Sequence, residues 1–226
     1  MSLFITFEGP EGSGKTIQSQ ALYEYLQKRG LPVFLTREPG GTSIGDQIRR
    51  ILLSPENAEM LPPTEILLFS ASRAQLVGQV IRPHLEGGTI VICDRYADST
   101  LAYQGYGHRL DLDLLKTITG FATGGLRPDL IIYLDIDVEE GLRRKRDTAE
   151  WNRLDQKELA FHRRVRQGYL EMAAAEPERW LVLDATRPVA EIQEAIRASV
   201  ERLLAGMVEP GGEVRDEARR EHRPLR

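Results

Sequence analysis

Eight residues near the N-terminus, Gly9-Pro10-Glu11-Gly12-Ser13-Gly14-Lys15-Thr16, constrain this chain more than any other feature. They match G-x-x-x-x-G-K-[ST] in full. They lie between an apolar run at 3–7 and a helix-period segment at 16–28. Three glycines let the backbone curl so that successive N–H groups point inward at a polyphosphate. The helix N-terminus adds about half a positive charge. Lys15 supplies a point charge for β- and γ-phosphates, and Thr16 offers a hydroxyl to Mg²⁺. The pattern predicts a strand–loop–helix cradle for ATP or GTP and is silent on the acceptor.

The remaining chain alternates in the same way. Apolar runs at 33–36, 90–93, 130–134 and 180–183 read as strands. Helical periodicity covers 43–53, 64–85, 111–123, a segment from 138, 159–175 and 189–204. Ile17, Ala21, Leu22, Tyr25 and Leu26 are expected on the inner side of the first helix, and Ile44, Ile48, Ile51 and Leu52 on that of the second. Continuous apolar strands separated by helices imply an α/β fold, a five-stranded parallel sheet with helices on both faces. One domain is expected over 1–206. Residues 207–226 hold ten charged residues of balanced sign and read as a fraying tail.

Composition removes several classes. The lone Cys93 forbids an internal disulfide and a cysteine metal cluster, and its apolar setting predicts a buried, inert thiol. His84, His108, His162 and His222 lack ligand spacing, so zinc is not expected. A net charge of −4 argues against a nucleic-acid coat. No apolar stretch reaches the ~18–20 residues of a membrane span, and the first residues lack a signal-peptide pattern, so a cytoplasmic protein is expected. Asp135-Ile136-Asp137 resembles a metal pair, but alternate strand residues face opposite ways; an N-cap is the preferred reading.

Cys93-Asp94-Arg95-Tyr96 closes the third strand. Strand carboxyl ends face the ligand crevice of such sheets. Asp94 is therefore placed to hold Mg²⁺, and Arg95 to clamp a phosphate. Phe69 and Arg73, at i and i+4, share one helical face, which suits a planar base with a carbonyl edge. On the residues alone, a core Phe69 and a surface Arg73 remain an alternative.

Three strings carry a family resemblance: Thr36-Arg37-Glu38-Pro39-Gly40-Gly41-Thr42, Asp94-Arg95-Tyr96, and Ser99-Thr100-Leu101-Ala102-Tyr103-Gln104-Gly105. Together they resemble the bacterial thymidylate kinases. The resemblance implies a P-loop nucleoside monophosphate kinase fold, transfer of the γ-phosphoryl of ATP to dTMP with Mg²⁺, and a homodimer. It also implies residue roles. Phe69 would stack on thymine, Arg73 would donate to O4, and Gln104 would meet the edge near N3. Thr100 would lie near the base, and Tyr103 beside the sugar C2′. Glu11 would accept from the 3′-hydroxyl. Arg49 and Arg95 would hold the 5′-phosphate, and Glu38 and Pro39 would wall it.

Residues 143–166 hold nine Arg or Lys against four Asp or Glu. This excess reads as a solvated face or as a lid, about 143–156, that brings arginines to the transferring phosphoryl. The phosphate loop carries Glu11 and no arginine, so the chain resembles the members of that family that supply a catalytic arginine from the lid; the resemblance implies a lid donor, with Arg146 and Arg153 as the candidates. Lys15, Arg95, Asp94, Arg146 and Arg153 thus form the expected catalytic set, with Thr16 and Asp94 at the metal. A kinase for another (deoxy)nucleotide, a deoxynucleoside kinase needing a carboxylate base, and a nucleotide-dependent regulatory switch stand as rivals.

Overall fold

The computed structural model describes residues 2–146 and 152–207. Five strands form one sheet: β1 (Phe4–Glu8), β2 (Val33–Arg37), β3 (Ile90–Asp94), β4 (Leu130–Asp135) and β5 (Trp180–Asp184), ordered β2-β3-β1-β4-β5. Every pairing is parallel, with Ile5 opposite Ile92 and Leu130. The helices are α1 (Lys15–Lys28), α2 (Ser43–Leu53), α3 (Pro62–Leu76), α4 (Arg82–Glu86), α5 (Ala97–Thr100), α6 (Leu112–Thr123), α7 (Val138–Arg146), α8 (Leu159–Ala175) and α9 (Val189–Gly206). A π-helical turn, Val77–Ile81, joins α3 to α4, and a second, Leu101–Gly107, extends α5.

Strand alternation sorts the core into two layers. Leu3, Ile5 and Phe7 pack with Leu22 and Leu26 of α1 and Ile196 and Val200 of α9. Phe4 turns the other way, into a cluster with Leu76, Val91, Cys93 and Tyr96, beside a third group of Tyr133, Phe161, Tyr169 and Trp180. Both faces of the sheet are covered, which is why β3 and β4 are apolar along nearly their whole length. Cys93 is buried as expected. Among the described residues no helix is long and apolar enough to cross a membrane.

The structure corrects several expectations. Ile17 is exposed, and α1 buries Lys15, Gln18 and Ser19 beside its leucines. Ile44 and Ile51 also face outward, leaving Leu52 as the buried apolar residue of α2. The helical stretch from Ala97 to Gly107 has no counterpart in the periodicity reading; Gly105 and Gly107, poor helix formers, obscure it. Asp137 does cap α7, accepting from the Glu139 and Glu140 amides, while Asp135 holds Arg166 through both oxygens. Residues 147–151 of the expected lid, and the tail from 208, lie outside the described residues.

Candidate active site

The loop after β1 has the backbone its glycines permit: Gly9, Gly12 and Gly14 have φ of 150°, 68° and 87°. At Gly12 a Cβ would collide with the carbonyl of Gly141, so the loop seats directly on α7. Lys15 is buried, with Nζ donating to Pro10 O at 2.7 Å and Ser13 Oγ at 3.2 Å. Burial, with Arg95 adding repulsion, lowers its ammonium to about 7, and Glu11 and Asp94 pull the other way. Thr16 Oγ1 donates to Asp94 Oδ2 at 2.6 Å, joining the start of α1 to the end of β3.

Arg95 leaves β3 in the left-handed region, at φ 69°. Such a conformation costs a non-glycine residue roughly 1–2 kcal/mol. Its neighbours hold it there. Arg95 N donates to Phe7 O at 2.9 Å, and Tyr96 N to Glu8 Oε1 at 2.8 Å. The guanidinium then reaches over the phosphate loop. Nη1 donates to Gly9 O, and Nη2 to Glu11 Oε1 and Tyr103 OH, at 3.0–3.1 Å. The Tyr103 hydroxyl lies 2.6 and 2.7 Å from the two Glu11 oxygens. Burial raises the Glu11 carboxyl, but the charges of Arg95 and Lys15 outweigh it and hold the group below the usual carboxylate range.

One cleft of about 1110 Å³ joins these groups. At one end it is lined by the loop with Ala185, Arg187 and Val189. At the other lie Glu38, Pro39, Arg49, Phe69, Thr100 and Gln104. Pro39 follows a cis peptide bond, and Arg49 Nη1 donates to Pro39 O at 2.9 Å. Arg73 is buried behind this end; its Nε donates to Glu38 Oε2 at 2.8 Å and its Nη2 to Tyr96 O at 3.1 Å. Burial pushes Glu38 up to about 7, with Arg73 pulling down. Arg73 Nη1 and Thr100 Oγ1 are buried polar atoms without a hydrogen-bond partner among the described residues. Natural proteins rarely strand such atoms; of the two residues Thr100 lines the cleft, while Arg73 lies behind its wall.

The basic stretch divides. Arg163 pairs with Glu139, Arg164 donates to Gly107 O, and Arg166 pairs with Asp135. These three serve the scaffold. Arg144 and Lys145 line the cleft, and Arg146 is exposed at the end of α7. Arg153 is not directed at the phosphate loop, as the lid reading expects; it is buried against Glu65 and donates to Leu52 O. Asp155 lines the cleft, and burial, then Glu11, raise its carboxyl to about 6.

Three site-forming residues escape the sequence reading. Glu8 accepts from Tyr96 N, Ser99 Oγ and Tyr169 OH, behind Arg95. His162 Nδ1 lies 3.9 Å from Glu11 Oε2. Glu65 bonds Gln104 and Arg153. Two signals mark them: Glu8 is a carboxylate in a wholly buried strand, and Glu65 precedes Phe69 and Arg73 by four and eight residues, on their helical face.

A parallel sheet in this order, with a phosphate cradle at its central strand and a second basic group at the neighbouring strand end, defines a P-loop nucleoside monophosphate kinase fold. The thymidylate kinase family model matches residues 7–196. The chain is 59% identical over 219 residues to a thymidylate kinase of Roseiflexus sp., covering 92% of this chain and 97% of that protein. It is 55% identical to the thymidylate kinase of Deinococcus radiodurans, covering 88% and 96%. The crystal structure of thymidylate kinase from Ehrlichia chaffeensis superposes with a TM-score of 0.71 at 34% identity, covering 88% of this chain and 98% of that one. The chain belongs to the thymidylate kinase family.

Proposed function

We propose that this chain transfers the γ-phosphoryl of ATP to dTMP, giving ADP and dTDP and so supplying dTTP synthesis. The observation that carries the reading is the single cleft, which has a phosphate cradle at one end, Arg95 in the middle and the Phe69–Thr100–Gln104 wall at the other. In this reading the loop Gly9–Thr16, through the backbone N–H groups of residues 11–16, and the Lys15 side chain hold the ATP phosphates, with adenine toward Ala185. Arg49 and Arg95 take the 5′-phosphate of dTMP, beside Glu38 and Pro39. Phe69 stacks on thymine, Thr100 lies near the base, Arg73 Nη1 donates to O4, and Gln104 meets N3. Tyr103 fills the space beside C2′, and Glu11 accepts from the 3′-hydroxyl.

The attacking atom is a phosphate oxygen, anionic at pH 7, so no general base is needed. Catalysis is alignment plus charge neutralisation. Good alignment is worth ~7–11 kcal/mol. Arg95 supplies fixed positive charge, and Lys15 adds a second when bound phosphate favours its ammonium form. Arg146, at the end of the helix seated on the loop, is the proposed lid arginine; such a group contributes ~10³–10⁵ in rate. Closure would exclude water from the phosphoryl group.

Mg²⁺ is the proposed cofactor. The Thr16 hydroxyl and Asp94 carboxylate, 2.6 Å apart, are the hard oxygen donors that suit it. The described residues contain no cluster of three or more His, Cys, Asp or Glu to hold a metal alone, which fits an ion completed by phosphate oxygens and water. Bound there, it would neutralise charge on the transferring phosphoryl.

A homodimer is proposed on the apolar surface of α2, α3 and α6. α3 packs against both α2 and α6, and the three helices expose Ile44, Ile51, Leu67, Leu114 and Phe121. Such a concentration of large apolar side chains marks an interaction surface. The lone free thiol suits the reducing cytoplasm.

One coupled ADP-release assay with ATP and Mg²⁺ tests the reading across dTMP, dUMP, dCMP, dGMP and thymidine. Preferred turnover of dTMP is expected. Turnover of thymidine in its place, or ATP consumption unaffected by any acceptor, sinks it.

A further inference from the structure

The base-side end of the cleft rests on a buried ion pair remote from the phosphate cradle. Glu65, in the first turn of α3, is 1% exposed. Its Oε1 accepts from Gln104 Nε2 at 2.7 Å and lies 3.4 Å from His108 Nε2. Its Oε2 pairs with Arg153 Nη2. Arg153 Nε also donates to Leu52 O, at 3.1 Å, near the end of α2. One cluster thus ties α2, α3, the Leu101–Gly107 turn and the segment leading into α8.

The chemistry of this cluster is directional. An ionised carboxylate accepts hydrogen bonds and donates none. The group that Gln104 turns toward Glu65 is therefore its NH₂, whichever way the amide might otherwise sit. Its carbonyl Oε1 is the edge left for a ligand in the cleft that Gln104 lines. Thymine N3–H can donate to a carbonyl. Cytosine N3 is an acceptor, so two acceptors would face each other. A site built around a polar group discriminates strongly against such a mismatch.

Arg153 secures the direction. Burial favours protonating Glu65, which would make it a donor as well as an acceptor. The close approach of His108, the charge of Arg153 and the Gln104 amide outweigh burial and hold the carboxyl at about 2.

We propose that Glu65, paired with Arg153, is a positioning residue for nucleobase specificity, locking the Gln104 amide in the orientation that accepts from thymine and opposes cytosine. This rests on the thymidylate kinase reading above. It gives Arg153 a part in reading the acceptor, and leaves phosphoryl neutralisation to the α7 end of the lid.

The test compares kcat/KM for dTMP and dCMP in wild type, Glu65→Gln, Arg153→Lys, Gln104→Leu and the Glu65→Gln/Gln104→Leu double variant. Wild type turns over dTMP with a large preference. In Glu65→Gln the neutral partner can donate or accept, so the Gln104 amide is free to turn. The dTMP/dCMP ratio falls about 10-fold or more, the worth of one polar contact, chiefly through KM. Because Glu65 acts through Gln104, adding Glu65→Gln to Gln104→Leu lowers the ratio no further. Arg153→Lys keeps one charge but loses the fork, and lowers the ratio in the same direction. That variant carries the test if Glu65→Gln does not fold. An unchanged ratio in folded Glu65→Gln, or additive losses in the double variant, overturns the proposal. So does Arg153→Lys if kcat falls equally for both nucleotides, since that marks a group acting on the phosphoryl. A wild type inert toward dTMP sinks the thymidylate reading itself, and the proposal with it. A dTMP-selective wild type with an insensitive Glu65→Gln sinks the proposal alone.

Discussion

Arg95 Nη2 donates to Glu11 Oε1 across 3.0 Å, so the guanidinium at the end of β3 is bonded to the phosphate loop after β1. The two strands are direct sheet neighbours, and the contact bridges residues 84 positions apart. Arg95→Ala removes both the proposed phosphate clamp and the partner of a buried carboxylate. Phosphoryl transfer should fall at least ~10²-fold, the scale on which lost alignment acts. Stability should fall by roughly 1–3 kcal/mol, the cost of stranding a buried polar group. Adding Glu11→Gln should return part of that stability and none of the activity. ADP release and denaturant unfolding of both variants check this, and near-wild-type turnover in Arg95→Ala contradicts the assignment.

Asp94 and Thr16 give a separate prediction about Mg²⁺. Asp94→Asn keeps the shape and the hydrogen bond to Thr16 but removes the negative charge. The Mg²⁺ concentration for half-maximal activity should rise about 10–100-fold, as for other groups that support a metal site. Saturating Mg²⁺ should restore much of the rate. A Mg²⁺ titration of activity at fixed ATP decides it, and an unshifted midpoint removes Asp94 from the metal.

How much of this was legible depends on how local each signal is. The cradle is eight contiguous residues between a strand and a helix, so its glycines, lysine and threonine announce it. Asp94 and Arg95 follow from their place at a strand end. Glu65 does not. Its meaning lies in Gln104, 39 positions away, and Arg153, 88 away, and no periodicity joins them. Glu8 reads as one charge after four apolar or hydroxyl residues; its link to Tyr169 spans 161 positions. Arg153 looks like part of a charged run, and only the fold separates it from Arg163, Arg164 and Arg166. Ile17, Ile44 and Ile51 fail in the opposite way. Helical period places them on an inner face, but Ile17 lines the ligand cleft and the other two lie on the proposed dimer surface.

That surface carries its own prediction. Phe121 is 80% exposed on α6, and its burial in a second copy would make it an anchor. Phe121→Glu should leave the monomer fold intact and weaken self-association by about 2 kcal/mol or more, roughly 30-fold in dissociation constant. Sedimentation equilibrium of wild type and variant measures the shift. Identical masses across the same concentration range would exclude Phe121 from any interface.

Glu65 also fixes a pH dependence whose sign can be worked out. Its carboxyl sits at about 2 in the folded chain against 4.5 for the free group, so the unfolded state binds the proton more tightly. Stability from this group is complete above about 4.5 and is lost as pH falls toward 2. The difference corresponds to on the order of 3 kcal/mol. Glu8 and Glu38, raised to about 7 by burial, act with opposite sign: they weaken the fold as pH climbs from 4.5 to 7. Those contributions are common to wild type and Glu65→Gln and cancel in their difference. Between pH 5.5 and 3, wild type should therefore lose stability relative to Glu65→Gln, with the gap narrowing continuously below 4.5. Above pH 5.5 the gap should be flat. Urea unfolding of both proteins across that range provides the comparison, and a gap that stays constant down to pH 3 would show that Glu65 is not held ionised by its Arg153, His108 and Gln104 partners.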